Sequence, residues 1–159
     1  MAKEFKTTKD GLELYGTAEV ATKLGIPEWR VKNFSEGKVY GLPPSFHVGS
    51  GRGSRRLYTD KDVVRLAVAY DLLKCGFTSK TIGLAIQAIS DPGLLDSIVQ
   101  DTKTGKPWAL SLVDGNWRAL KIAELEQHVH KTLTKIEFRP IFILNIANYW
   151  DRGVWRFRE

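Results

Sequence analysis

Residues 46–58 read FHVGSGRGSRRLY, and within them Arg52, Arg55 and Arg56 bring three guanidinium groups into a stretch of glycine and serine. A guanidinium presents a planar fork of donors that matches phosphate oxygens, and glycine lets a backbone come close to a phosphate chain. Tyr58 adds a hydroxyl that can donate to a phosphate oxygen. This is the chemistry of gripping a polyanion; a plain solvated turn is the alternative reading of the same residues. Just upstream, residues 28–36 read EWRVKNFSE and offer Trp29, Arg30, Lys32 and Asn33. Arginine and asparagine pair bidentately with guanine and adenine edges, while lysine holds phosphate. Trp29 suits a surface contact and packing beside a turn equally well.

Other chemistries find no support. The run GSGRG lacks the Gly-Lys-Ser/Thr ending of a nucleotide phosphate loop. One cysteine, Cys75, allows no internal disulfide and no multi-cysteine metal site, and is expected as a small buried apolar residue. His128 and His130 lie two apart, which on a helix puts them on different faces, so they are expected to be ordinary histidines and not ligands. No nucleophile–base or paired-carboxylate spacing stands out. The chain is therefore expected to be no enzyme, with no cofactor and no metal.

The elements that must position these residues are marked by caps and breakers. Thr17 suits a helix N-cap, Ala18, Val20, Ala21 and Leu24 share one helical face, and Gly25 suits a left-handed stop. Pro27 fits the start of a second helix over about 28–36, with Val31 and Phe34 inward and Gly37 as its end. Two short helices joined by a glycine turn make a helix-turn-helix. Phe46 and Val48 on one side of the glycine-rich tip, Leu57 and Tyr58 on the other, predict a β-hairpin. Thr59 and Asp62 then form a capping box before a helix with Val63, Leu66, Ala67, Tyr70 and Leu73 inward and Gly76 at its end. Thr78 caps a further helix with Ile82, Ala85, Ile86 and Ile89 inward, and SDPG at 90–93 breaks it.

The chain has 159 residues, 43% of them hydrophobic, and a net charge of +6. Residues 1–80 carry 14 Lys and Arg against 9 Asp and Glu, and residues 81–159 carry 10 against 9. A basic half beside a nearly neutral half suits a polyanion-binding part joined to something else, although scattered surface lysines give the same count. No apolar run approaches the roughly 18 residues of a membrane helix, and the start MAKEFKTTKDG lacks a signal-peptide core. A soluble cytoplasmic protein, without a membrane partner, is expected. In the second half, residues 94–102 suit a short helix and TKTGKP at 102–107 a linker. WALSLVDGNWRAL suits a hairpin around Asp114-Gly115, AELEQHVHKTL a helix, and PIFILNI a buried strand. ANYWDRGVWRFRE is read as a short terminal helix. Trp108, Trp117, Trp150 and Trp155 suit a small core, a dimer surface or an aromatic-lined pocket.

The ordered set YGTAEVATKLGIPEWRVKNFSE, then GLPP, then RRLYTDKDVVRLAVAYDLLKCGFTSKTIGLAI resembles the MerR family of winged-helix transcription regulators over about residues 14–89. The resemblance implies double-stranded DNA binding through the residues at Arg30, Lys32, Asn33, Arg55, Arg56 and Tyr58. Thr17, Trp29 and Arg52 complete the candidate set. The expected fold class is α+β, an N-terminal winged helix-turn-helix of MerR-like type followed by a small α/β module. Residues 1–13 are expected as a polar lead-in, 14–89 as the DNA-binding domain, 90–106 as a short helix and linker, and 107–159 as a dimerisation or sensing module. The expected function is sequence-specific transcriptional regulation by a homodimer, cytoplasmic and, in a bacterium, nucleoid-associated. The helix at 28–36 would sit in the major groove and the wing at 46–58 on phosphates. An architectural or recombination accessory protein, or a protein-interaction module that does not bind DNA, are the alternatives. The residues name no effector.

Overall fold

Glycine stops and side-chain caps divide the chain into short elements. A computed structural model describes residues 6–7, 11–36, 42, 45–48, 55–113, 115–133 and 141–146. They form two compact units, one within Met1–Ile82 and one within Gly83–Asn148.

In the first unit, β1 (Lys6–Thr7) pairs antiparallel with β2 (Glu13–Gly16), Lys6 opposite Leu14. β1 and the first residue of β2 fall in what the sequence suggests is a polar lead-in. A two-residue strand carries no periodicity, and only the burial of Leu14 and Tyr15, 5% and 2% exposed, ties it to the core. Helix α1 (Thr17–Leu24) follows directly. Thr17 is not its N-cap: Gly16 takes that position, and the Glu19 carboxylate reaches back to accept the Gly16 N–H at 2.7 Å. Gly25 ends α1 at φ 63°, its N–H donating to the Thr22 carbonyl at 3.2 Å while the Ile26 N–H reaches Ala21 at 3.0 Å. That is a Schellman end, open to glycine because the left-handed conformation penalises a Cβ. Pro27, at φ −65°, is the N-cap of α2 (Glu28–Ser35), which starts at the expected residue and ends one short of Glu36.

After α2 come β3 (Phe46–Val48) and β4 (Arg55–Tyr58), antiparallel with Phe46 opposite Leu57 and Val48 opposite Arg55. β4 also pairs with β2, Tyr58 opposite Tyr15, so the sheet order is β1-β2-β4-β3. The two strands of the expected hairpin are thus present; its tip at 49–54 lies outside the described residues. Helix α3 (Asp60–Lys74) starts from the expected Thr59–Asp62 capping box and ends at Gly76, φ 85°, in a second Schellman pattern. Its buried face is wider than expected. Val63, Val64, Leu66, Ala67, Val68, Ala69 and Leu72 are all buried, whereas Tyr70 and Leu73, expected in the core, are half-buried. Cys75, expected buried, is exposed at the end of this helix. Val20, Leu24, Val31, Phe34 and Tyr58 complete the core of the unit.

Helix α4 (Ser79–Ile89) runs from the first unit into the second, with Thr78 accepting the Thr81 N–H at 3.3 Å and the expected Ile82, Ala85, Ile86 and Ile89 buried. At Ser90–Asp91 the chain bends by 88° into α5 (Pro92–Lys103), where Asp91 caps the Leu94 N–H at 2.9 Å and Pro92 opens the helix. This helix is longer than the sequence suggests. Thr102, expected where the helix gives way to a linker, is 5% exposed with its hydroxyl on the Ile98 carbonyl. β5 (Trp108–Val113) and β6 (Asn116–Lys121) form the expected hairpin, closed at Val113–Asn116 with Gly115 at φ 75°. α6 (Ile122–Leu133) follows, and β7 (Ile141–Asn145) adds antiparallel to the other edge of β5, giving the order β6-β5-β7. Trp108 and Trp117, 5% and 8% exposed, are core residues here, Trp117 meeting Phe142 edge to face at 6.0 Å. Trp150, Trp155 and the terminal stretch 147–159 lie outside the described residues. The whole is α+β.

Candidate nucleic-acid interface

Helix α2 has one buried side and one open side because its apolar residues are few. Val31, Phe34 and Ser35 face inward, while Glu28, Trp29, Lys32, Asn33 and the capping Glu36 face water and Arg30 is half-buried. Trp29 is 54% exposed, a large apolar group left on the surface. The Arg30 guanidinium lies over its ring, 4.2 Å from the centroid. Such a stack contributes about 0.5–1 kcal/mol at an exposed site and holds the guanidinium in one place. Lys32 keeps a loose i,i+4 pair with Glu28 at 3.9 Å, both more than half exposed.

The wing strand β4 is bonded to the C-terminal turn of α2. Ser35 donates its only hydroxyl proton to the Val31 carbonyl at 2.7 Å. The Tyr58 hydroxyl, 2.7 Å from the same Ser35 oxygen, must therefore be the donor in that contact. Two residues earlier on the strand, on the same face, Arg56 Nη2 meets Glu36 Oε1 at 3.2 Å. Tyr58 and Arg56 thus hold the wing against the helix, one by a buried hydrogen bond and the other by a surface ion pair.

These contacts revise the candidate set. Tyr58, read as a phosphate contact, is fully buried and its hydroxyl is spent on Ser35. Arg56 is partly engaged by Glu36, with its side chain 28% exposed. Arg55, exposed on the opposite face of the strand, has no ion pair among the described residues. Thr17 is the first helical residue of α1, partly exposed. Arg52 lies outside the described residues. Trp29, Arg30, Lys32 and Asn33 stand together on α2.

Four residues with structural roles escape the sequence reading of the site: Ser35 and Glu36, which receive the wing, and Ser45 and Asp62 at its base. Ser45 donates its hydroxyl to Asp62 at 2.6 Å, and Arg65 reaches the other Asp62 oxygen at 2.6 Å. Only the spacings of Thr59 and Arg65 to Asp62 are local; the contacts of Ser45, Glu36 and Ser35 span 17, 20 and 23 residues. At the edge of the same sheet, Tyr15 donates to Glu13 at 2.6 Å. Burial first, then hydrogen bonds to the Glu13 and Asp60 carboxylates, push its hydroxyl well above the ordinary tyrosine range.

Among the described residues, no group of three or more His, Cys, Asp and Glu is placed to hold a metal ion. His128 faces Ser111 at 3.3 Å and His130 is exposed. Among the described residues, no single helix is long and apolar enough to cross a membrane. Compared with known families, residues 15–89 match the model of the MerR HTH family regulatory proteins. No curated protein matches the chain. The match covers the helix-turn-helix, the hairpin and helices α3 and α4, the fold of DNA-binding transcription regulators.

Proposed function

Starting from a chain whose residues 15–89 are a MerR-like helix-turn-helix domain, we propose that the protein is a sequence-specific regulator that reads double-stranded DNA with α2 and grips its backbone with the wing. The observation that carries this is the attachment of β4 to α2 through Tyr58–Ser35 and Arg56–Glu36, with Trp29, Arg30, Lys32, Asn33 and Arg55 left at the surface. Arg30 and Asn33 specify bases, and Trp29 keeps the Arg30 fork flat and ordered. Lys32, Arg55 and Arg56 take phosphates. Thr17, at the start of α1, belongs to the same phosphate set. Tyr58 acts from inside, as the bolt between wing and helix.

An eight-residue helix is about 12 Å long and meets only a few base pairs, too few to define a unique site. We therefore propose that two copies act on paired half-sites, with the second unit as the pairing or sensing module. The test is selection of bound duplexes from random sequence, followed by binding at several salt concentrations. A shared motif among the recovered duplexes, with affinity that falls steeply with salt, supports the proposal. Recovery of random sequence, or binding indifferent to salt, refutes it.

A further inference from the structure

We infer that Asp62 positions the wing: one buried carboxylate ties down both ends of the β3–β4 hairpin and so holds β3 against β4, the strand that carries Arg55 and Arg56. This rests on the reading of the wing as a phosphate grip. Asp62 is 3% exposed, in the first turn of α3. Its Oδ2 accepts from the Thr59 N–H at 2.9 Å and the Thr59 hydroxyl at 3.0 Å. Thr59 is the residue immediately after β4. The same oxygen accepts from the Ser45 N–H at 3.2 Å and the Ser45 hydroxyl at 2.6 Å. Ser45 is the residue immediately before β3. Oδ1 accepts from Arg65 at 2.6 Å, which balances the buried charge.

A capping box needs only the Thr59 half of this arrangement. The two bonds to Ser45 cross 17 residues and do nothing for the helix end. Their effect falls on β3, the edge strand of the sheet. β4 is already held by β2 on its far side and by α2, whereas among the described residues β3 pairs only with β4. Tying Ser45 to the start of α3 gives the edge arm a second point of attachment, on a helix anchored there by buried Val63, Val64, Leu66 and Ala67. A carboxylate suits the task because it is an acceptor only, with room for several donors, and hydrogen bonds to a charged group are stronger than neutral ones.

The test has two readouts. Hydrogen exchange in the free protein reports the clamp without DNA. Duplex binding, using sequences selected by the wild-type chain and unrelated ones, reports its use. Ser45 is exposed and its loss spares the helix cap, so Ser45→Ala isolates the clamp, whereas Asp62→Asn also disturbs the cap of α3. Ser45→Ala is expected to speed exchange at the β3 amides while α1 and α2 stay protected. It weakens binding to both kinds of duplex alike, by about tenfold, and lowers the magnitude of the salt slope by about 1. Ser45→Thr, which keeps the hydroxyl, restores wild-type values, and Asp62→Asn reproduces the Ser45→Ala exchange pattern. Wild-type exchange in both Ser45→Ala and Asp62→Asn overturns the clamp. Faster exchange with wild-type affinity and salt slope, in a protein whose Arg55→Ala variant has lost both, overturns its positioning role. Wild-type binding by Arg55→Ala brings down the phosphate reading of the wing and this role with it, whatever exchange shows.

Discussion

Tyr58 turns its hydroxyl toward Ser35 and away from solvent, and this changes what its removal should do. Tyr58→Phe is expected to lower unfolding stability by about 1 kcal/mol, the usual worth of a buried hydrogen bond, and to leave the salt slope of DNA binding unchanged. Chemical denaturation beside a salt titration checks both halves. Arg55→Ala should do the reverse: full stability, equal weakening on all duplexes, and a slope reduced by about 1. Arg30→Ala should cost about 1–3 kcal/mol on the selected sequence and relax the preference at one position. Tyr15 supplies a pH prediction. Its folded pKa is raised, so the stabilisation is whole below the unfolded phenol value of about 10 and is lost as pH rises beyond it, because the unfolded chain gives up its proton first. Tyr15→Phe should therefore lose less stability than wild type on going from neutral to strongly alkaline solution, as thermal melts at several pH values would show. Residue types alone pointed to Arg30, Lys32, Asn33 and the arginines of the hairpin. They could not separate Arg55 from Arg56, nor Tyr58 from a surface tyrosine, because the partners Glu36 and Ser35 lie 20 and 23 residues away.

Among the elements, those with a chemical stop were legible. Gly25, Gly76 and the Thr59–Asp62 box mark α1, α3 and the wing's end because each satisfies orphan backbone groups within a few residues. The β1–β2 pair was not legible, since strands of two and four residues offer almost no alternation to read. Nor was the full length of α5, read as 94–102 but running from Pro92 to Lys103: Thr102 stands at the edge of a linker in the sequence until its hydroxyl is seen turned back onto its own helix. Asp91 is a true cap despite lying within a run of breakers, and Asp91→Ala should cost about 1 kcal/mol, measured by thermal or denaturant unfolding. β4 belongs to the sheet on one side and is bonded to α2 on the other, so one strand links the hairpin to the helix proposed to read bases.

For the molecule as a whole, charge and architecture divide in the same sense. The surplus of basic residues falls in the first 80 positions, and the matched regulatory segment ends at residue 89. The tryptophan-rich second half, open to three readings from its sequence, resolves for Trp108 and Trp117 into a small core around β5, because a three-stranded sheet has few positions in which to bury area. If two copies pair on half-sites, sizing of the protein–duplex complex should give two chains per selected duplex. One chain per duplex would assign the reading to a single domain. The bare thiol of Cys75 offers a practical route to such measurements. It is the only sulfhydryl in the chain, it faces water, and it sits at the far end of a 15-residue helix, about 22 Å along the axis from the base of the wing. A maleimide dye would attach there stoichiometrically without engineering, giving a fluorescent reporter that stands clear of the contacting surface while riding on the same rigid rod.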